Sequence, residues 1–434
     1  MGPLSPGRWS VASTGVGMKF NFLHAADLHL DSPLLGLAAK STELAQRVAD
    51  ASRLAFDNLV ALAIERECKF VLLAGDVFDG EWRDWKSGQF FVSRMRRLKE
   101  AGIQVYIVLG NHDAENKFMS RLEFSDNVVV FPHKAAKTID LVELEVAIHG
   151  RSFPQRDVSE NLAAEYPPLV KGRFNIGILH TACGGRPGHA NYAPCSVEQL
   201  VNKGYDYWAL GHVHAREVLH ANPHVVFPGN LQGRHVRETG PKGATLVTVA
   251  NGSVSAIEAC DLDVIRWHAE SIDVSEASEL RDIPQLIHAR ITEVRQSAPD
   301  RSIAIRLQLT GQTPLHLAII GREALLGEEI ETILATIADD IWVERLEIAT
   351  APLATKAALD RTIGGRMNAL VAELGSDKLL QDTLETTLTD IAQKFPAAAH
   401  KEEALARVRA DAMERATQIA LAAIERSQGD GDAV

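Results

Sequence analysis

Five short apolar runs in this chain share one habit: each passes from Val, Ile, Leu and Phe straight into Gly, Asp, Asn or His. They are FNFLHAAD (20–27), FVLLAGD (70–76), VYIVLGNHD (105–113), NIGILHTA (175–182) and YWALGHVH (207–214). Short apolar runs of this kind read as buried strands. Between them lie helical stretches such as ELAQRVADASRLAFDNLVALAIERE, where Leu44, Val48, Leu54, Leu59 and Leu62 roughly follow a helical period. Strands alternating with helices predict an α/β domain from Met18 to about Glu270. In such folds functional residues gather at strand ends, so segments far apart in sequence can pool their side chains.

A second, smaller α/β unit follows: SIAIRLQLTG, LHLAIIG, the helical ALLGEEIETILATIADD and the strand-like IWVERLEIAT. After Thr350 the chain is rich in Ala, Leu and Glu and ends in EEALARVRADAMERATQIALAAIERSQ, a helical pattern that either packs on its own domain or docks a partner. The start, rich in Gly, Ser and Pro, reads as a disordered tail. The expected organisation is a tail (1–17), a catalytic domain (18–270), a small α/β domain (271–355) and a helical C-terminal region (356–434).

Of 434 residues, 46% are hydrophobic and 24% charged, the balance of an ordinary globular protein. No apolar run approaches the roughly 18 to 20 residues that span a bilayer, and the start lacks the apolar centre of a secretory signal. The expectation is a cytoplasmic protein with no membrane partner. Four scattered cysteines without CxxC spacing argue against a zinc knuckle or a disulfide framework. A formal charge of −12 excludes broad cationic adhesion to nucleic acid, but not a phosphate-handling enzyme whose bound cations supply local positive charge.

The strand ends hold Asp27 and His29 (DLH), Asp76 (GDVFD), Asn111, His112 and Asp113 (GNHD), His180 (ILHTA), and His212 and His214 (GHVH). Ions such as Mn²⁺ or Fe²⁺ accept this mixture of carboxylate, amide and imidazole donors, and the inventory suits two of them. A carboxylate shared between two ions is the usual device of a two-metal phosphoryl site, and Asp76 is the candidate bridge. If the backbone stays extended, Asp27 with His29 and His212 with His214 point pairwise to one side. A lone His such as His24, His149 or His224 reads as structural, as does Cys183.

The ordered set DxH, GDxxD, GNHD, H and GHxH resembles the calcineurin-like metallophosphoesterase superfamily over Met18 to about Gly243. The resemblance implies a four-layer α/β/β/α sandwich, with the second α/β unit as a capping domain. It implies one metal held by Asp27, His29, Asp76 and His214, and another held by Asp76, Asn111, His180 and His212. It implies His112 as the catalytic histidine, with Asp113 orienting it by accepting its other ring N–H. The implied reaction is metal-assisted phosphoester hydrolysis.

HAADLHLDSPL, AGDVFDG and PGNLQGRHVRETGPKG look like the SbcD-type DNA repair nucleases, and more narrowly the bacterial YhaO-like branch. That likeness implies a Mn²⁺-dependent DNA nuclease subunit, acting with an SbcC-like coiled-coil ATPase and forming a homodimer. Archaeal and eukaryotic relatives carry a histidine three residues after the bridging Asp; here it is Asp79, to which no catalytic role is carried over. Candidate DNA contacts are Arg83 and Lys86 after the GDVFD loop, beside Trp82 and Trp85, and Arg234 and Arg237 after PGN, since aromatics beside cations stack bases and bind phosphates. The competing readings are a small-molecule or cyclic-nucleotide phosphodiesterase and a non-catalytic scaffold.

Overall fold

A computed structural model describes residues 18–32, 42–79, 85–114, 122–185 and 192–353, with isolated helical positions between 378 and 387. The expectations for residues 1–17, for Trp82 and Arg83, and for nearly all of 356–434 lie outside the described residues. The chain divides into two compact units at the Trp267–His268 peptide.

The first unit is built on two six-stranded sheets. One contains β1 (Lys19–Ala25), β2 (Phe70–Ala74), β3 (Gln104–Val108) and β4 (Val128–Val130), with β11 (Gly243–Ala250) and β12 (Ser253–Asp261) beyond β1, in the order β12-β11-β1-β2-β3-β4. The other contains β5 (Lys137–Leu141), β6 (Val146–Gly150), β7 (Phe174–His180), β8 (Tyr207–Gly211), β9 (Glu217–Ala221) and β10 (His224–Phe227), in the order β5-β6-β7-β8-β10-β9. Helices α1 (Thr42–Glu65) and α2 (Trp85–Glu100) carry the chain from β1 to β2 and from β2 to β3, so these three strands run parallel, and β3 leads into the single turn α3 (Asn111–Ala114). Strands β2, β6 and β8 are buried at every position, as expected where both faces of a sheet are covered.

Three apolar layers result. Between the sheets, Phe22 stacks on Phe70 with ring centroids 5.0 Å apart and meets Tyr207 edge-on at 5.3 Å, joined by Ile148, Ile176 and Val247. Outside the first sheet, Phe56, Leu59, Phe91 and Met95 of α1 and α2 pack on Leu23, Val71 and Val105. Outside the second, Leu162 and Leu200, from a 3-10 turn and the short helix α4 (Val197–Asn202), pack around Trp208 and Leu210. Each such side chain contributes roughly 1.5 to 3 kcal/mol by leaving water. The order helix, sheet, sheet, helix is the expected four-layer sandwich.

His24 sits in the middle layer, fully buried, with Nδ1 accepting from the Tyr207 hydroxyl (3.0 Å) and Nε2 donating to Leu210 O (3.1 Å). It ties one sheet to the other and faces no metal position. His149 is likewise fixed, between Thr138 and Asn175.

The second unit has a three-stranded sheet in the order β13 (Ile265–Asp273), β14 (Ser302–Gln312), β15 (Ile341–Ala351). Helices α6 (His316–Gly321) and α7 (Glu323–Ile337) cross from β14 to β15, which pair in parallel. Ile287 and Ile291 of α5 (Asp282–Ser297) and Ile330 and Leu334 of α7 close its core over Ile303, Ile305 and Leu307.

Candidate metal centre

All five strand-end motifs meet. Strands β1, β2 and β3 are parallel neighbours in one sheet, β7 and β8 in the other, and their C-terminal ends converge between the sheets. Backbone and side chains cross-link the ends: Asp27 N donates to Gly75 O (2.9 Å), His212 N to the Asp27 carboxylate (2.9 and 3.2 Å), and the His180 ring through Nδ1 to Ala74 O (2.9 Å). The approach is so close that a Cβ on Gly211 would lie 1.9 Å from Ala74 O, and one on Gly75 would lie 2.3 Å from His180 Nδ1.

The pairs DLH and HVH converge, but not by the extended backbone expected of them. Asp27 (φ 52°), His29 (φ 41°), Asp76 (φ 51°) and His212 (φ 101°) all have positive φ, a region costing non-glycine residues of order 1 to 3 kcal/mol each. Hydrogen bonds to the neighbouring loop, including His29 N to Asp76 O (3.1 Å), hold the segment in that shape. Side chains are thus aimed by left-handed turns at the strand ends rather than by strand alternation.

Among the described residues, donors come within 4.8 Å of one another in three groups: Asp27, His29 and His214; His29, Asp76 and His112; and Asp76, His180 and His212. Nε2 of His29 and Nε2 of His214 face each other at 3.3 Å, with Asp27 Oδ1 3.8 Å from the latter. On the other side, Asn111 Oδ1 lies 3.0 Å and Asp76 Oδ2 3.4 Å from His180 Nε2. Asp76 Oδ2 is also 4.0 Å from His29 Nε2, while its Oδ1 accepts from His112 N (3.0 Å). One carboxylate oxygen therefore stands between two donor sets.

The charge balance fits divalent cations. Asp27 and Asp76 are buried, and the positive charges acting most strongly on them are imidazoles. Burial would raise the Asp76 carboxyl, but His180, His29 and His112 outweigh it and hold it well below the usual range. Burial lowers His180, and Asp76 and Asp27 outweigh that, pushing the imidazole up to about 9. Burial and then Arg234 push His29 down to about 4, leaving it neutral and able to ligate. At Asp27 burial outweighs His214 and His180 and raises the carboxyl, so the pocket is short of positive charge, a setting in which a cation can replace a proton.

His112 lines the cleft, with Nδ1 3.2 Å from Asp79 Oδ1; that contact, against burial, raises its pKa. Asp113 does not orient His112, contrary to expectation. Its carboxylate is buried and accepts three backbone N–H groups, from Val77 (3.1 Å), Phe78 (3.0 Å) and Gly110 (3.1 Å), so it clamps the GDVFD loop to the GNHD loop. Asp79 takes the place assigned to it. Its carboxylate also accepts from Ser32 Oγ (2.8 Å) and lies 3.4 Å from His29 Nδ1.

Asp76, Asn111, His112, His212 and His214 form one wall of a cleft of about 540 Å³ whose remaining lining includes Arg156, Tyr192, Arg234, His235, Arg237 and Lys242. Of the four basic residues proposed from sequence, Arg234 and Arg237 line it. Lys86 is exposed near the start of α2 and is not part of this lining, and Arg83 is outside the described residues. Asp31, crowded into the DLHLD motif, is bound by Arg53, Ser87 and the Ser52 hydroxyl and faces α1 and α2 rather than the donor sets. Cys183 is buried in the outer layer with Cys195.

Residues 20–216 match the calcineurin-like phosphoesterase family, and residues 267–351 match the middle domain of metallophosphoesterase YhaO. Over 351 residues, 79% of this chain and 85% of its relative, the sequence is 34% identical to a Bacillus subtilis protein described as uncharacterized metallophosphoesterase YhaO. The chain belongs to the calcineurin-like metallophosphoesterase family. A more distant relative is the DNA double-strand break repair protein Mre11 of Sulfurisphaera tokodaii, 24% identical over 60% of this chain and 67% of that one. A solved dimetal phosphatase from Danio rerio is similar over 53% of this chain and 95% of its own, at 13% identity and a TM-score of 0.32.

As a calcineurin-like metallophosphoesterase the chain is a phosphoester hydrolase, and dimetal enzymes of this family use two divalent ions. Of the donor groups above, Asp27, His29 and His214 lie close enough together to hold one ion, and Asp76, His180 and His212 another. No helix among the described residues is long and apolar enough to cross a membrane.

Proposed function

We propose that this chain is a two-metal DNA nuclease subunit that hydrolyses phosphodiester bonds. The observation that carries the reading is one cleft in which Asp76 stands between two donor sets while Arg156, Arg237 and Lys242 share its lining, in a chain whose formal charge is −12. Cations concentrated beside a metal centre on an otherwise acidic protein suit a polyanionic substrate bound locally rather than over a broad surface. The name of the Mre11 relative supports DNA as that polyanion.

Two divalent ions held by these residues, for which Mn²⁺ suits the mixed oxygen and nitrogen donors, would supply Lewis acidity and would lower the pKa of a water. The chain's own residues do the rest. Asp79 accepts the Nδ1 proton of His112 and favours its charged form, so Nε2 is the atom left to carry a proton toward the leaving oxygen or to steady charge on the phosphoryl group. Arg237, exposed on the cleft wall, would hold a neighbouring phosphate, and the Tyr192 ring, 5.6 Å from His212, would pack on a base or sugar. An SbcC-like ATPase that opens or feeds the duplex, and a homodimer, complete the proposal.

The test is cleavage of labelled single- and double-stranded DNA with Mn²⁺, with and without the ATPase, beside bis(p-nitrophenyl) phosphate as a minimal substrate. Metal-dependent DNA cleavage, with Arg237→Ala raising KM for DNA and not for the small diester, supports the reading. Hydrolysis of small or cyclic phosphodiesters but never DNA, with the ATPase present, overturns its DNA half in favour of a small-molecule phosphodiesterase.

A further inference from the structure

The segment PGNLQGRHVRE (228–238) carries the acid Glu238, which the catalytic reading leaves without a role. Glu238 is 7% exposed, an unusual position for a carboxylate, and its two oxygens are used differently. Oε2 accepts from Asn230 Nδ2 (2.8 Å) and from Arg234 N (2.8 Å), which holds the loop. Oε1 faces His214 Nδ1 at 2.7 Å.

That last contact decides a tautomer. An ionised carboxylate can only accept, so His214 Nδ1 carries a proton, and in the neutral ring that leaves Nε2 as the bare nitrogen. Nε2 is the atom that faces His29 Nε2 and Asp27. Arg234 stands behind the same ring. Its Nη1 is 3.7 Å from Asp79 Oδ1 and its Nη2 is 3.6 Å from Glu238 Oε1, so one guanidinium lies between two carboxylates that each touch a histidine of the site. Arg234 Nη2 is also 3.4 Å from His214 Nδ1, a donor against a donor, and adds no attraction there.

We propose that Glu238 and Arg234 are positioning residues for the first metal position: Glu238 fixes His214 in the tautomer that presents Nε2, and Arg234 braces Glu238 against Asp79. Arg234 thereby belongs to the metal site and not to the substrate contacts expected from sequence, although it lines the same cleft. The inference rests on the two-metal reading, and the experiment separates the two.

Glu238→Gln is the informative change. The amide oxygen can replace Oε2 and keep the bonds to Asn230 and Arg234 N, while the NH₂ turns toward His214 Nδ1 and forces the ring to accept there and to carry its proton on Nε2. The readouts are ¹⁵N histidine spectra of metal-free protein at pH 8 and Mn²⁺ titration followed by calorimetry, with melting of the metal-free variants as a control for folding. The expected results are a His214 proton on Nδ1 in the parent and on Nε2 in the variant, and two ions in the parent. In the variant one ion should weaken by about 10- to 100-fold and the other should be unchanged. Arg234→Met should weaken the same ion without raising KM for a phosphodiester, and it carries the test if Glu238→Gln does not fold. Parental Mn²⁺ affinities in the variants, or a higher KM in Arg234→Met with both ions intact, overturn the inference and leave the two-metal reading standing. A parent that binds no Mn²⁺ overturns that reading, and this inference with it.

Discussion

Asp79 Oδ1 lies 3.2 Å from His112 Nδ1, while Asp113, the residue next to that histidine in sequence, turns its carboxylate to three backbone N–H groups. Two acids within reach of one motif thus have separate duties, one toward the reacting group and one toward the fold. Replacing Asp79 by Asn should lower kcat by about 10- to 100-fold at nearly unchanged melting temperature, since the Asn amide can still hold Ser32 but not a charged imidazole. Steady-state hydrolysis of bis(p-nitrophenyl) phosphate, with melting curves, measures both.

Asp113→Ala should behave in the opposite way. Removing the carboxylate leaves three buried N–H groups unsatisfied at about 1 to 3 kcal/mol each, a loss of several kcal/mol that urea unfolding would register. If that variant folds with parental stability and lacks only activity, the clamp assignment is wrong.

His112→Ala should abolish turnover, by roughly 10²-fold or more, and leave two ions per chain in metal analysis. His112 lines the cleft, but its nearest charged partner is Asp79 and it lies outside both proposed ligand quartets. Loss of both ions in the variant would move His112 into the ligand set.

The pH dependence of stability should carry a signature of His24. Burial pushes its imidazole down to about 3, against an ordinary value of 6.5, so the folded protein holds it neutral while the unfolded chain takes up a proton. The stabilisation is complete above pH 6.5 and is lost as pH falls from there toward 3, at about 1.4 kcal/mol per pH unit. Urea unfolding of metal-free protein at pH 7.5 and pH 5 should show about 2 kcal/mol of this loss, and His24→Asn, less stable at the upper pH, should lose correspondingly less. Equal losses would mean that His24 does not contribute this term.

The sandwich was legible because β2, β7 and β8 are buried at every position and β1 and β3 at most of theirs, and so read as short, largely apolar runs, each ending where the chain must turn. That common ending also brought Asp27, Asp76, Asn111, His180 and His212 onto one list before any geometry was known. What sequence could not carry was pairing at a distance. The contact between His214 and Glu238 spans 24 residues and that between His29 and Asp79 spans 50, and nothing local to either histidine announces its acid. The choice between Asp79 and Asp113 depended on the second carboxylate of GDVFD swinging toward GNHD, which proximity in sequence favours the wrong way. The left-handed turns at Asp27, His29 and His212 were equally hidden, since Asp and His, though enriched at positive φ among non-glycine residues, signal it far more weakly than Gly does.

The central claim is that Asp76 serves two metal positions at once. Anomalous scattering from a crystal soaked in Mn²⁺ tests it most directly. The expected result is two peaks about 3.5 to 4 Å apart, one beside His29 and His214, the other beside Asn111, His180 and His212, with the Asp76 carboxylate touching both. A single peak, or two that do not share Asp76, would contradict it.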